Sequence, residues 1–323
     1  MRLGLSAAAV LAGCYNPTIP AGAACNNACP GDLECIEHRC VPPGGMPPEP
    51  DASPIIIDAA VDARTIDGPP GDVDGDGFAD NVDNCSQILN VDQHDEDADS
   101  IGDVCDPCPH IAGTAADQDG DGVGDACDPQ PTVAKQHIKF FDPFTSTKSQ
   151  WMPSSGTSLV GETMRLLGVV NNSAFTRLGV STGELRIETA GTVVTSDAAS
   201  SPHQLSVAFG FTGSSYHYVE FYDSGGSSGN VCIVKYDGTS YTGVDCTPYT
   251  GILPTGAFSM RIDESVAAQK IDFQATLGGA VKPLLTGATN AIPPNLVTSS
   301  TMTLHAQNAD FRFNYWIVIE TLP

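Results

Sequence analysis

The 323-residue sequence predicts a mostly β protein that contains an antiparallel β-sandwich. From residue 137 to residue 323, short runs of alternating apolar and polar residues are separated by Gly, Ser, Thr and Asn turns. Alternation with a period of two is the pattern of a half-buried strand. No convincing amphipathic helix is present in this region. A region of about 185 residues with such spacing suits one sandwich or barrel, of which a jelly roll is one form.

The chain begins with MRLGLSAAAVLAGC, in which Arg2 precedes a short apolar run and Leu-Ala-Gly stands directly before Cys14. Residues 1–14 therefore resemble a bacterial lipoprotein signal, in which the mature chain begins at a lipidated cysteine. The resemblance implies export and a lipid anchor at Cys14, on the bacterial outer membrane or cell surface. An ordinary secretory signal is the alternative, and it also predicts export. No later apolar run is long enough to span a bilayer.

The cysteine count predicts five disulfides. Eleven cysteines are present, so ten remain if Cys14 carries lipid, and an even number in an exported chain favours disulfides. Residues 25–40 form a small cysteine-rich module with the spacing C-x3-C-x5-C-x4-C. Of its three possible pairings we prefer Cys25–Cys35 with Cys29–Cys40, and zinc binding by four thiolates is the alternative. Residues 41–71 are rich in Pro, Gly and Ala and read as an extended linker.

The acidity of the chain is concentrated in residues 72–128. The formal net charge is −25, and this segment holds 17 of the 39 acidic residues with no Lys or Arg. Residues 136–323 are nearly balanced, with 14 acidic against 10 basic residues, so the acidity belongs to one segment and the sequence argues against a nucleic-acid partner. Like charges packed this closely repel, so a compact state needs a compensating cation.

Three windows of twelve residues, 72–83, 95–106 and 117–128, carry Asp at positions 1, 3, 5, 9 and 12. This spacing suits Ca²⁺, which takes about six to eight oxygen ligands, because a curled loop presents alternate side chains inward and a position-7 carbonyl. Gly at position 6 permits the sharp turn in two windows, whereas Ser100 departs from this in the second. The predicted calcium ligands are Asp72, Asp74, Asp76, Phe78, Asp80, Asp83, Asp95, Asp97, Asp99, Ile101, Asp103, Asp106, Asp117, Asp119, Asp121, Val123, Asp125 and Asp128.

The stretches DNCSQILNVDQHDEDADSIGDVCDPCP and DQDGDGVGDACD closely resemble thrombospondin type 3 repeats. In that family, chains wrap around calcium ions and disulfides tie the coils, with little hydrophobic core. The resemblance covers residues 72–130 and implies the pairs Cys85–Cys105 and Cys108–Cys127. It also implies a shared polar ligand at Asn90. A dockerin module has similar loops, but it lacks this cysteine pattern and needs helices.

Two other interpretations of the acidic segment are weaker. A disordered acidic tract would not repeat a five-position template three times. Cys105-Asp-Pro-Cys108 has the CxxC spacing of redox or zinc sites, with His110 nearby, but the repeat already accounts for both cysteines. We therefore expect residues 72–128 to form a stalk that folds only with calcium, beside a sandwich that has its own core.

The ends of region 137–323 resemble concanavalin A-like and laminin G-like jelly rolls. FFDPF opens the region and ADFRFNYWIVIE closes it. Such domains often begin with a Phe-Asp-x-Phe stretch and finish on an apolar strand packed beside the first. Cys232 and Cys246 flank a predicted hairpin and are expected to form the fifth disulfide.

Catalytic signals in this region are weak, so we predict that the protein is not an enzyme. Residues 179–183 and 225–229 match G-x-S-x-G, but that motif needs a strand before it and a helix after it, and glycine-serine turns fit better. Glu184 and Glu188 share a face of a predicted strand roughly 13 Å apart. Glycosidase pairs stand about 5–9.5 Å apart. The histidines show no metal-binding spacing.

Tyr216, Tyr218 and Tyr222 share parity on one predicted strand and form a candidate ligand-binding face, with ordinary cross-strand packing as the alternative. The sequence thus predicts a calcium-binding surface lipoprotein with a stalk and a β-sandwich head. Its expected role is adhesion or the binding of a glycan or protein ligand. The alternatives are a carbohydrate-active enzyme on a jelly-roll scaffold and a purely structural envelope spacer.

Overall fold

The computed structural model describes residues 34–36, 39–41 and 71–322, apart from residues 114, 154–155, 170–173, 179–183, 197–201, 213–214, 266 and 289–301. The chain divides into two compact units, residues 1–66 and 67–323. In the first unit, β1 (Glu34–Ile36) pairs antiparallel with β2 (Arg39–Val41). The predictions for Cys14, for the side chains of the 25–40 module and for most of the linker lie outside the described residues.

The second unit contains two antiparallel sheets that enclose one apolar core, which confirms the predicted fold class. One sheet has the order β12-β11-β10-β9-β17-β7-β4, and the other has the order β15-β14-β13-β8-β18-β6-β5, with β16 paired to β14 and β3 paired to β18. The strands are β3 (Gln136–Asp142), β4 (Trp151–Pro153), β5 (Thr157–Leu159), β6 (Met164–Leu167), β7 (Ala174–Leu178), β8 (Leu185–Ser196), β9 (His203–Thr212), β10 (Ser215–Asp223), β11 (Ser228–Tyr236), β12 (Tyr241–Thr250), β13 (Gly256–Ser265), β14 (Lys270–Leu277), β15 (Ala280–Val281), β16 (Leu285–Ala288), β17 (Met302–Gln307) and β18 (Ala309–Thr321).

The core follows from the two-residue alternation in the sequence. In β13, Phe258, Met260 and Ile262 are buried while Arg261 between them is exposed. Similar alternation in β14 and β17 brings apolar residues of both sheets into one cluster that is centred on aromatic side chains such as Phe311. Among the described residues there is no helix, and hence none that could cross a membrane.

The FFDPF stretch begins the sandwich and is fixed by a buried carboxylate. Asp142 is fully buried; the Trp151 indole Nε1 donates to it at 2.6 Å and the Phe144 backbone N–H at 2.9 Å. Burial raises the pKa of this carboxyl, and these hydrogen bonds oppose the rise. Asp142 thereby holds Phe144 and Trp151 in the core, and Trp151 meets Trp316 of β18 edge to face at 5.9 Å.

The acidic segment has no regular secondary structure and is tied by the two predicted disulfides, Cys85–Cys105 and Cys108–Cys127. A third predicted disulfide also lies among the described residues. It is Cys232–Cys246, and it joins residues that face each other in β11 and β12. The turn at residues 225–229, which matches G-x-S-x-G, connects β10 to β11 and has no helix after it.

The expectation of a separate stalk is wrong for the third window, because this window packs against the sandwich. Val123 and Cys127 are fully buried against Ile317 and Ile319 on the outer face of β18, and Tyr315 packs beside them. We call this contact the docking cluster. β18 carries apolar residues on both of its faces. Those on the inner face, such as Trp316 and Val318, join the core of the sandwich, and those on the outer face, Ile317 and Ile319, contact the acidic segment.

Polar contacts surround the docking cluster. Arg186 of β8 donates from Nη1 to the carbonyl oxygen of Cys127 at 3.1 Å. His110 is buried, and its Nε2 lies 3.1 Å from Oε2 of Glu188. The acidic segment is therefore anchored on the sheet by apolar burial and by hydrogen bonds to β8.

Candidate metal centre and ligand groove

The first Asp of each window closes its own loop. Asp72 accepts hydrogen bonds from the backbone N–H groups of Gly75 at 2.7 Å and Gly77 at 3.0 Å. Asp95 and Asp117 make the same pair of bonds to positions 4 and 6 of their windows. The short side chain of Asp suits this role because its two oxygens reach backbone groups three to five residues ahead.

The fifth residue of each window connects its loop to the chain 14 residues later. Asp76 accepts from the N–H of Asn90 at 3.2 Å, and Asp99 accepts from the N–H of Gly113 at 3.0 Å. Asp121 accepts from the N–H groups of Lys135 at 3.0 Å and of Gln136 at 2.6 Å. Because Gln136 is the first residue of β3, the third loop is joined directly to the sandwich, whereas the first two are joined to the following repeat.

Carboxylates at positions 1, 3 and 5 of every window converge closely enough to hold one metal ion, with one oxygen from each within 4.8 Å of the others. The three groups are Asp72 with Asp74 and Asp76, Asp95 with Asp97 and Asp99, and Asp117 with Asp119 and Asp121.

Unsatisfied oxygens in these loops fit a cation. Among the described residues, no donor reaches the buried Oδ2 atoms of Asp74 and Asp97 or either oxygen of Asp119, all at position 3. Among these residues, no donor reaches the buried Oδ2 atoms of Asp106 and Asp128 either, which are at position 12. A buried carboxylate oxygen without a partner is costly, and a bound cation removes that cost.

Raised pKa values of carboxyl groups in the second and third windows also indicate that these loops fit a cation. Burial, with the neighbouring Asp99 and Asp106, raises the pKa of Asp97 to about 6. Burial also raises the pKa of Asp106 and Asp128, and the nearby acidic residues add to both shifts. Arg186 partly opposes the rise at Asp128, whereas no basic side chain opposes it at Asp97 and Asp106, so a divalent ion in the second window would favour their ionised forms.

The loops bend in the same way, although the second window lacks the glycines. In the first window, Gly75 and Gly77 have φ values of 80° and 104°. In the second window, Ala98 and Ser100 adopt φ values of 63° and 80° at the same positions. A side chain in this region costs about 1 kcal/mol or more. The departure from glycine at Ser100 therefore does not change the bend of the second loop, and Ala98 at position 4 is a second departure that the sequence reasoning missed.

Positions 9 and 12 brace the loops. Asp80, Asp103 and Asp125 each accept from the N–H of position 2 in their own window, at 2.8–2.9 Å. The position-12 carboxylates accept from the N–H two residues later, which is Cys85 in the first window. The ligand roles predicted for positions 9 and 12, and for the carbonyls of Phe78, Ile101 and Val123, remain predictions.

Asn90 is buried within a polar network between the first two windows. The side-chain amide of Gln93 donates to Asp76 at 3.2 Å and to Asp83 at 2.8 Å. The backbone N–H of Asn90 is bonded to the same Asp76 carboxylate. Asn90 thus lies where a shared ligand is expected, and its contact with an ion remains a prediction.

A second site lies on the seven-stranded sheet, where an open groove of about 790 Å³ crosses β10 and its neighbours. Tyr216, Tyr218 and Tyr222 all line this groove, as their common parity on β10 predicts. A bulge beside Tyr216 shifts the pairing of β10 with β9, and Tyr216 still lies on the groove face.

Four tyrosine rings form a cluster at one end of the groove, which we call the tyrosine cluster. Tyr216 and Tyr236 have ring centroids 5.0 Å apart, and Tyr236 and Tyr241 have centroids 4.6 Å apart. Tyr218 meets Tyr241 edge to face at 6.0 Å. Tyr241 is 63% exposed and offers an accessible aromatic surface, whereas Tyr218 is buried and packs with Cys232 and Val234.

The rest of the groove lining combines apolar residues such as Ala208 and Val234 with a polar wall that includes Arg177, Gln204, Glu220, Thr303 and His305. Glu220 is buried and accepts from the Gln204 side-chain amide at 2.6 Å. Burial raises the pKa of Glu220 to about 7, although this hydrogen bond opposes the rise. Burial also lowers the pKa of His305. At neutral pH the wall therefore presents the Arg177 guanidinium, neutral hydrogen-bonding groups and one carboxyl that titrates near neutrality.

Sequence reasoning placed the three tyrosines of β10 but missed the polar wall. Arg177 lies on β7, Gln204 on β9 and His305 on β17, and these strands are distant in sequence. Only the order β10-β9-β17-β7 brings them to one face. Glu220 had a detectable signal, because it shares the parity of Tyr218 and Tyr222 on one strand.

A family model of the thrombospondin type 3 repeat matches residues 70–93. No curated protein matches the chain. Among solved structures, peanut lectin is similar over 59% of this chain and 99% of its own, with 10% identity and a TM-score of 0.45. The CBM2 module of the evolved Dit of Lactobacillus casei BL23 phage J-1 is similar over 58% and 97%, with 9% identity and a TM-score of 0.43. A Bacillus licheniformis β-glucanase is similar over 55% and 96%, with 13% identity and a TM-score of 0.39.

Proposed function

We propose that the three loops of residues 72–128 bind Ca²⁺ and that calcium holds this segment in its folded form. The donors are all oxygens, which are the ligands that Ca²⁺ prefers. The converging carboxylates of positions 1, 3 and 5 and the unpartnered oxygens of positions 3 and 12 support the proposal. Bound ions would offset the repulsion among the carboxylates and supply stability that a segment with few apolar residues lacks.

We propose further that the groove of the sandwich binds a carbohydrate and that the protein acts as a non-enzymatic surface module in adhesion. The observation that carries this proposal is the tyrosine cluster beside a polar wall in one open groove. Aromatic rings stack on the apolar faces of sugar rings, and neighbouring amide, hydroxyl and carboxyl groups hydrogen-bond to sugar hydroxyls.

The signal at residues 1–14 supports the cellular part of the proposal. Export and a lipid at Cys14 would place the protein on the bacterial cell envelope, at the outer membrane or cell surface. The described disulfides agree with an oxidising compartment. Its proposed partners are calcium ions, membrane lipid through Cys14 and a glycan.

A carbohydrate-active enzyme is the second candidate, and Glu220 is the observation that favours it. A buried carboxyl with a pKa of about 7 in a groove has the properties of a general acid. Glycoside hydrolysis normally needs two carboxyl groups flanking the bond, however. Among the described residues that line the groove, Glu220 is the one carboxylic acid. We therefore favour binding over catalysis.

A glycan array that is probed with the full chain in calcium tests the proposal. Glycans that bind the wild-type protein should lose binding to the Tyr241→Ala variant, because the exposed ring supplies stacking area without contributing to the core. Thr242→Ala is the matched control, since Thr242 is exposed beside Tyr241 and does not line the groove. Cleavage of a bound glycan that is lost in Glu220→Gln would favour the enzyme instead. No binding to any glycan would favour a protein ligand or a structural spacer.

A further inference from the structure

A second cavity lies where the acidic segment meets the end of the sandwich, away from the three loops and the groove. It has a volume of about 270 Å³, and Pro129 and Gln130 line it together with residues of β8, β13 and β14. We call it the junction cavity. Four carboxylates and two basic side chains line its wall.

The charges on this wall do not balance. Arg186 donates to Asp263 at 2.6 Å and also lies 3.7 Å from Glu188, and the Lys270 ammonium lies 2.6 Å from the Asp272 carboxylate, so both bases are already paired with acids other than Glu184 and Glu264. The two glutamates, Glu184 and Glu264, have no basic partner within the described residues. When Glu184 and Glu264 are both ionised, the wall therefore carries two negative charges that no basic side chain of the wall balances.

Glu264 is the decisive residue. It follows Phe258, Met260 and Ile262 on the buried face of β13 and is only 3% exposed. No donor among the described residues reaches either of its carboxylate oxygens. Burial, with the nearby Glu184 carboxylate, raises the pKa of Glu264 to about 8. A buried carboxyl that faces a second carboxyl across a cavity is unfavourable for folding unless a cation or a proton neutralises it.

We propose that the junction cavity binds one calcium ion between Glu184 and Glu264. A divalent cation matches the two unpaired negative charges, and all the available donors are oxygens. Gln130, Ser265 and Thr321 add neutral oxygens to the same wall. The volume leaves room for water ligands, which Ca²⁺ accepts within its flexible shell of about six to eight oxygens. Such an ion would join the end of the acidic segment to β8 and β13.

Glu184 is held in place by the surrounding backbone. One oxygen of Glu184 accepts from the N–H of Ala267 at 2.6 Å, in the turn that follows β13. The carbonyl oxygen of Glu184 accepts from the N–H of Thr321 at the end of β18. The site is thus built from three strand ends, and none of the carboxylates predicted to bind calcium in the Asp windows lines it.

The experiment is calcium counting by native mass spectrometry on the full chain at saturating calcium. Glu264→Gln keeps the size of the side chain and removes its charge, and Glu184→Gln does the same at the second position. Asp237→Asn is the control, because Asp237 is exposed, lies in the turn between β11 and β12 and does not line the cavity. We expect each of the first two variants to bind one ion fewer than the control. If Glu264→Gln does not fold, Glu184→Gln still decides the question.

Thermal melting separates a bound ion from a bound proton. In excess chelator, Glu264→Gln should melt at a higher temperature than the wild type, because it removes a buried carboxyl without a counter-charge. In calcium, the same variant should melt at a lower temperature, because it has lost a ligand. Equal ion counts in all variants, with Glu264→Gln melting higher under both conditions, would show that Glu264 holds a proton only and would overturn the proposal.

Discussion

Asp121 is expected to stabilise the sandwich as well as its own metal loop. Its carboxylate accepts from Val123 within the loop and from Lys135 and Gln136 at the start of β3. Asp76 occupies the same position in the first window, but its bonds stay within the acidic segment. Replacing either residue by Ala removes a predicted calcium ligand. Only Asp121→Ala also loses the hydrogen bonds to Lys135 and Gln136 at the start of β3.

The structure sets the size of the effect. Hydrogen bonds to a charged group contribute about 1.5–3 kcal/mol each, and we take about 1 kcal/mol because this site is partly exposed. The two bonds to the start of β3 then contribute about 2 kcal/mol to the sandwich. In a domain of this size, that loss lowers the melting temperature by about 4–8 °C. Loosening of the docking cluster would add to this decrease.

The assay is differential scanning calorimetry of the full chain at saturating calcium. Asp121→Ala should lower the sandwich transition by at least the amount above, while Asp76→Ala should leave it within about 1 °C of the wild type. Both variants should bind one calcium ion fewer. Equal shifts of the sandwich transition in the two variants would refute the claim that the third loop stabilises β3.

Three further predictions concern the anchor, the cysteines and the groove. Cys14→Ala should release the protein from membranes or block its processing, and unchanged membrane association in fractionated cells would point to another anchor. Intact-mass analysis of the exported protein should reveal ten free thiols after reduction and none before it, and free thiols at Cys105 or Cys108 would revive a redox or metal role for the CxxC pair. For Glu220, the pKa in the folded protein, about 7, lies above its ordinary value of 4.5. The folded protein therefore holds a proton between these values that the unfolded chain has lost, so stability falls as pH rises through this window. Melting curves from pH 5 to pH 8 at saturating calcium should show a shallower fall in Glu220→Gln than in the wild type, and identical slopes would contradict the burial of a protonated Glu220.

The sequence predicted features that depend on local spacing. The five-position Asp template predicted the loops because the side chains at positions 1, 3 and 5 converge through contacts of only a few residues. The bridge between Cys232 and Cys246 depended on one hairpin in the same way. Parity along β10 placed Tyr216, Tyr218 and Tyr222 on one face without knowledge of the neighbouring strands.

Features that depend on strand order were not predictable in this way. The docking cluster needs Ile317 and Ile319 to lie beside Val123, although about 190 residues separate them in the sequence. The run from Trp316 to Ile319 is apolar on both faces of β18 and so indicates a second buried face, but the sequence does not say which segment covers it. Glu264 falls on the buried face of β13, at the position that follows three alternating apolar residues. The sequence alone does not indicate a site there, because only the fold brings Glu184 into the same cavity.

Hydrogen–deuterium exchange of the full chain, in calcium and in excess chelator, tests the central claim most directly. The reporters are the loop N–H groups that are bonded to Asp carboxylates, such as those of Gly77, Ser100 and Gly122. With calcium removed, we expect residues 72–128 to lose protection and β3 to lose part of it, while β9, β10 and β11 in the core remain protected. Unchanged exchange in residues 72–128 after calcium removal would contradict the claim that calcium holds this segment folded against the sandwich.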